Sequence, residues 1–212
     1  MAYELVVIGT SWGGLHALRR VLGGLPATFD LPVVVVQHRH RDSDHLLVTL
    51  LQDHTPLTVH EIEDKTELVA GHVYVAPAEY HVLVEVGHLA LSTEEPVRYS
   101  RPSIDVTFES AADAYGSRTV GVVMTGANDD GARGLKRIAD RGGAAIVQDP
   151  STAESAVMPA AALKLVPDAR VTKLDEIGAL IATLNVRSRT ARRGSPRATP
   201  KQTDAAPRAR GS

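Results

Sequence analysis

Short unbroken apolar runs alternate along the chain with stretches in which apolar residues recur every three or four positions. Leu5 to Ile8, Pro32 to Val36, Val73 to Ala76, Thr119 to Thr125 and Ala144 to Gln148 are runs of the first kind. They predict strands buried on both faces, as in a parallel sheet. Leu15, Leu18, Val21 and Leu22 follow helical spacing with Arg19 and Arg20 on the other side, and predict an amphipathic helix. The same pattern predicts helices over Asp44 to Gln52, from Ser103 through Phe108 and Ala111, through Ala132, Leu135 and Ile138, and over Leu174 to Leu184. Ala153 to Leu165 predicts a small-residue helix interrupted at Pro159. Val59 to Ile62 adds a strand, and the alternation of His81 to Ser92 about Gly87-His88 predicts a β-hairpin. Strands alternating with helices predict an open, doubly wound α/β fold: a mostly parallel sheet with an antiparallel β-hairpin addition.

In such a sheet, residues just past the strand ends share one rim, which is where ligands bind. Three segments bring chemistry there. Gly9-Thr-Ser-Trp-Gly13 fits G-x-S-x-G, in which a strained strand-to-helix turn projects a serine hydroxyl and frees backbone N–H groups beside it. Ser11 reads equally as the cap of the following helix. A phosphate-binding turn is the weaker alternative, because Gly9, Gly13 and Gly14 match neither G-x-G-x-x-G nor a P-loop. His38 directly follows its strand, and is favoured on that ground over His40, His45 and His54. Asp129 and Asp130 follow a third strand, where one carboxylate could orient a histidine or simply cap the next helix. Ser103 and Asp105 read as a helix cap and a favourable first-turn charge.

Composition narrows the class. The 212 residues suffice for one core, and contain no cysteine, so a nucleophile must be an oxygen or nitrogen and thiolate metal sites are excluded. No apolar run approaches the ~20 residues of a membrane span, and no basic leader precedes the first strand, which predicts a cytoplasmic protein without membrane insertion. Residues 187–212 hold eight Lys/Arg and one Asp, against fifteen basic and twenty-four acidic residues before them. That contrast predicts a folded body over 1–186 and a basic disordered tail over 187–212. No aromatic residue interleaves the tail's charges to stack on bases, so no nucleic-acid partner is expected.

Ser11, His38 and Asp130 thus converge as nucleophile, base and orienting carboxylate, in an order unlike that of the α/β-hydrolases, where the histidine comes last. At these residues the chain resembles the catalytic domain of the chemotaxis protein-glutamate methylesterases, the CheB family. Ile8-Gly-Thr-Ser-Trp-Gly-Gly14, Val36-Gln-His38 and Met124-Thr-Gly-Ala-Asn-Asp-Asp-Gly131 resemble that family's serine, histidine and aspartate segments. Gly71 to Pro77, Arg101 to Val106 and Val157-Met-Pro159 are similar to further family segments. The resemblance selects Asp130, which immediately precedes the glycine, over Asp129. It implies that Ser11 attacks the methyl ester of a glutamyl side chain on the cytoplasmic domain of a methylated receptor, that His38 takes its proton, and that Asp130 holds the imidazole. It further implies deamidation of glutamine as a possible second activity, backbone N–H groups near Trp12 and Ala127 as the oxyanion hole, and no metal or cofactor. An esterase or amidase with another substrate, and a catalytically silent binding module, are the competing expectations. Trp12, the Ala127-Asn128 pair and the Arg39 to Asp44 loop depart from the family pattern, and the receiver domain that usually precedes the catalytic domain is not among the matched segments.

Overall fold

A computed structural model describes residues 2–39 and 46–194, with side chains as far as Asn185. Seven parallel strands form the central sheet: β1 (Leu5–Thr10), β2 (Val33–Gln37), β3 (Thr58–Glu61), β5 (His72–Val75), β8 (Thr119–Val123), β9 (Ala144–Gln148) and β10 (Arg170–Thr172). Their spatial order is β10-β9-β8-β1-β2-β5-β3. The chain moves outward from β1 through β2, then returns to build β8, β9 and β10 on the other side. The sheet therefore has a topological switch beside β1, the place where α/β sheets bind ligands.

Helices cover both faces because alternate strand residues point opposite ways. Val6 and Ile8 of β1 join one core with α1 (Gly14–Gly23), α2 (Leu46–Gln52) and α6 (Leu174–Gly194). Leu5 and Val7 join the other, with α3 (Ile104–Tyr115), α4 (Ala132–Asp140) and α5 (Val157–Leu165). β1, β2 and β8 are buried throughout, which is why their sequences show no polar alternation.

Four features differ from the sequence expectation. The hairpin β6 (His81–Glu85) and β7 (His88–Ser92) is antiparallel but does not extend the main sheet: with β4 (Thr66–Glu67) it makes a separate three-stranded sheet. Its inner residues Val82, Val84 and Leu89 pack into the α3 side of the core. Pro159 does not interrupt a helix, because α5 begins at Val157 and a proline in the first turn has no intrahelical N–H bond to lose. β10, three residues at the sheet edge, has too little apolar pattern to be seen in advance. Finally, α6 runs to Gly194, so the first eight residues assigned to a disordered tail are helical. A helix already anchored through Ile177 and Ile181 extends at little cost once its nucleus is paid for. The start of the helix expected from Asp44, the histidines at 40 and 45, and the tail beyond Gly194 lie outside the described residues.

Candidate active site

The serine turn is set by the sheet. Ser11 N–H donates to the Thr125 carbonyl at 2.9 Å, and His38 N–H to the Thr10 carbonyl at 3.1 Å, so both residues continue the ladder past the ends of β1 and β2. β1 and β2 pair with Thr10 opposite Gln37, which makes Ser11 and His38 lateral neighbours on the rim. Gln37 fastens the two turns together, its amide Nε2 donating to the carbonyls of Ser11 at 2.8 Å and His38 at 2.9 Å. Gly13 takes φ +76°, the left-handed conformation that favours glycine, and a Cβ on Gly14 would lie 1.9 Å from Gln37 Oε1. The glycines after Ser11 thus serve the turn and its close approach to β2. Ser11 does not cap α1: the N-cap is Gly13, with no side-chain bond.

Thr125, at the end of β8, fixes the third segment. Its hydroxyl donates to the Trp12 carbonyl at 2.8 Å and accepts from Ser155 N–H at 2.9 Å, tying the serine turn to the approach to α5. The N–H groups of Trp12 and Ala127 have no acceptor among the described residues, and both residues border a cavity of about 580 Å³ that also contains Ser11 and His38. Trp12 is 64% exposed at its mouth.

Asp130 is 1% exposed and holds His38 Nε2 at 2.8 Å through Oδ2. It sits on the N-terminus of α3 as well as beside the cap of its own helix: Ile104 N–H donates to Oδ2 at 2.7 Å, and Asp105 N–H, the Ser103 hydroxyl and Gly131 N–H donate to Oδ1 at 2.9, 3.0 and 3.0 Å. Burial alone would raise its carboxyl pKa. The His38 hydrogen bond and charge and the Asp105 and Ile104 amides together outweigh burial and hold it below the usual carboxylate range. Asp130 is therefore an anion at neutral pH and His38 Nε2 the donor to it. When the imidazole is neutral, Nδ1 is then the nitrogen that carries the lone pair.

Asp129, the alternative carboxylate, turns outward and pairs with Arg98. Ser103 caps α3 as expected, accepting from Val106 N–H, and also reaches Asp130, which sequence reasoning missed. Asp105 is more than a first-turn charge. It is fully buried, accepts from Gly131 and Gly134 N–H at 3.0 and 2.8 Å, and pairs with Arg133 at 3.0 Å. Of the other histidines, His54 bonds Arg19 and the Leu50 carbonyl away from the rim. Among the described residues no group of three or more His, Asp or Glu side chains is arranged to hold a metal ion.

Fold and site together define an open α/β protein in which a glycine-flanked serine and a strand-end histidine border one cavity at the switch point of the sheet, the histidine bonded to a buried aspartate. Over residues 6–181 the chain matches the CheB methylesterase family, and it belongs to that family. It is 44% identical over 186 residues to a Leptospira interrogans protein whose name gives protein-glutamate methylesterase/protein-glutamine glutaminase as a provisional assignment, covering 87% of this chain and 96% of that one. Protein-glutamate methylesterase FrzG of Myxococcus xanthus is 38% identical over 180 residues, covering 84% of this chain and 54% of FrzG. The crystal structure of the Thermotoga maritima CheB methylesterase catalytic domain superposes with a TM-score of 0.81 at 32% identity, covering 87% of this chain and all of that one.

Proposed function

We propose that the protein hydrolyses methyl esters of glutamyl side chains on methylated receptors, with Ser11 as nucleophile, His38 as base and Asp130 as the orienting carboxylate. The observation that carries this reading is the 2.8 Å bond from Asp130 to His38 Nε2, which leaves the basic Nδ1 on a ring that shares one cavity with Ser11. Nδ1 accepts the Ser11 proton as Oγ attacks the ester carbonyl, and Asp130 stabilises the imidazolium that forms. The carbonyl oxygen gains negative charge. The free N–H groups of Trp12 and Ala127 are the donors proposed to bind it, each such donor being worth about 3 kcal/mol in the transition state. Nδ1–H then protonates the departing methoxide, methanol leaves, and water enters to release glutamate and regenerate Ser11 by the reverse proton path. A glutamine substrate follows the same course with ammonia as the leaving group. The proton balance closes on side chains alone, so the steps call for neither metal nor cofactor.

Family membership and the names of the relatives support a receptor substrate and a cytoplasmic setting. No helix among the described residues is long and apolar enough to cross a membrane. The test is methanol release from methylated receptor cytoplasmic fragments, comparing wild type with Ser11→Ala. The expected loss is on the order of 10⁵-fold or more with the fold unchanged. Wild-type-like release from Ser11→Ala would end the mechanism. Absent release from a protein whose Ser11 still reacts with a serine-directed phosphonate would point to another ester or amide.

A further inference from the structure

Beyond His38, on the side away from Ser11, lies a second cavity of about 320 Å³. Arg39 and Arg101 line it, together with Glu79 and Tyr99. The Arg39 side chain is 6% exposed, and its hydrogen bonds to described residues leave from Nη2, to Glu61 at 2.8 Å and to the Ala76 carbonyl at 3.0 Å. Its Nε and Nη1 are buried without an acceptor. Arg101 repeats the pattern: Nη1 and Nη2 reach the Thr93 and Glu94 carbonyls and Glu79, while Nε is buried with no acceptor. An unfilled buried N–H costs about 1–3 kcal/mol, so two such guanidiniums at one cavity mark a place where acceptor atoms belong.

The wall opposite is held in an unfavourable conformation. Val97 and Ser100 exchange backbone hydrogen bonds at 2.9 and 3.1 Å across a two-residue turn in which Arg98 and Tyr99 have φ +48° and +66°. Such turns favour Asn-Gly, and neither residue here adopts the left-handed region readily. Glu79, also lining the cavity, has φ +66°. The turn is kept in place by the Arg98–Asp129 ion pair, which anchors it beside Asp130, and it leaves the Tyr99 ring fully exposed at the cavity edge. Strain of this kind persists where surrounding contacts impose it, and it concentrates at ligand sites.

We infer that this cavity is a substrate subsite that receives an acidic side chain flanking the ester-bearing residue, its carboxylate filling the open donors of Arg39 and Arg101 while Tyr99 packs on the adjoining substrate chain. The inference rests on the reading of Ser11 and His38 as the reacting groups, because it places one substrate across both cavities with His38 between them. With Nη2 of Arg39 and both terminal nitrogens of Arg101 already bonded, the unfilled donors are Nε and Nη1 of Arg39 and Nε of Arg101, and a carboxylate is the common protein acceptor whose two oxygens can take one charge-assisted bond from each guanidinium.

The test separates binding from turnover. Peptides carrying one glutamyl methyl ester, with a single Glu or Gln walked through about four positions on either side, are titrated into the Ser11→Ala protein. At the matching position the Glu peptide binds about tenfold tighter than its Gln counterpart, and the preference falls below about threefold in Ser11→Ala/Arg101→Gln and Ser11→Ala/Arg39→Gln. Equal binding at every position overturns the subsite, as does a preference that survives both arginine changes in proteins with native circular dichroism. Methanol release by wild type reads the esterase independently. An acidic preference without methanol supports the subsite and sinks the esterase, and methanol without a preference does the reverse.

Discussion

Asp130 and Asp105 are two buried carboxylates with similar amide surroundings, and they differ in their side-chain partners. Each stands at the start of one helix and serves the N-terminus of the other. Asp130, just before α4, accepts N–H groups from the first turn of α3, and Asp105, in that first turn, accepts N–H groups from the opening of α4. The exchange gives each carboxylate the amide donors and helix-dipole field that stabilise an anion. The remaining acceptor capacity goes to His38 and the Ser103 hydroxyl in one case and to the half-exposed Arg133 in the other. Similar amide scaffolding thus supports a proposed catalytic role for Asp130 and a proposed architectural one for Asp105.

The largest effect that tests this difference is on turnover by Asp130→Asn. Methanol release is expected to fall on the order of 10⁴-fold, because the amide can no longer both hold Nε2–H and stabilise the imidazolium. Next is Asp105→Asn, which is expected to lower stability by about 3 kcal/mol in urea titration while turnover of the folded fraction stays far above that of Asp130→Asn. Comparable turnover losses from the two, both folded, would break the comparison. A pH series sharpens it. The Asp130 carboxyl is held below its ordinary value, so the stability of wild type over Asp130→Asn should be constant above the unfolded value of about 3.9 and shrink as pH falls through the lower folded value. An advantage that grew on acidification would contradict the ionised, hydrogen-bonded Asp130. Ser103→Ala removes a cap and one donor to Asp130, and should cost about 1 kcal/mol by thermal melting, with a turnover loss much smaller than that of Asp130→Asn. Smallest of all, Arg133→Ala should cost less than about 1 kcal/mol, since Arg133 is half exposed and Asp105 keeps its Gly131 and Gly134 amide donors, and should leave turnover at the wild-type level.

How far the sequence carries depends on whether a feature is local. The buried valine runs, the glycine turn at Ser11 and the position of His38 just past a strand are properties of a few consecutive residues, and they were legible as elements and as a shared rim. The carboxylate exchange was not: Asp130 is 25 residues from the Asp105 amide it accepts, and its residue type and neighbours are equally those of an ordinary cap. Choosing it over Asp129 took the resemblance to a family. The second cavity was hidden for a related reason, because Arg98 and Tyr99 occupy turn positions where the usual Asn-Gly signal is missing. β4 is two residues long and has no period to detect. Arg187 onward lacks large apolar residues, yet the helix that precedes it carries the backbone to Gly194.

The pairing of Thr10 with Gln37 acts as a ruler for the proposed proton transfer. Adjacent strands lie about 4.8 Å apart, so the residues that follow that pair start almost within reach of each other. A histidine there needs only the nitrogen nearest its own backbone, Nδ1, to meet the serine, and its far nitrogen extends to the carboxylate behind. Slipping β2 by a single residue would turn the imidazole to the opposite face of the sheet and separate the three groups, though every one of them would still be present. The chemistry is therefore encoded as much in the alignment of two runs of valine as in the identities of Ser11, His38 and Asp130.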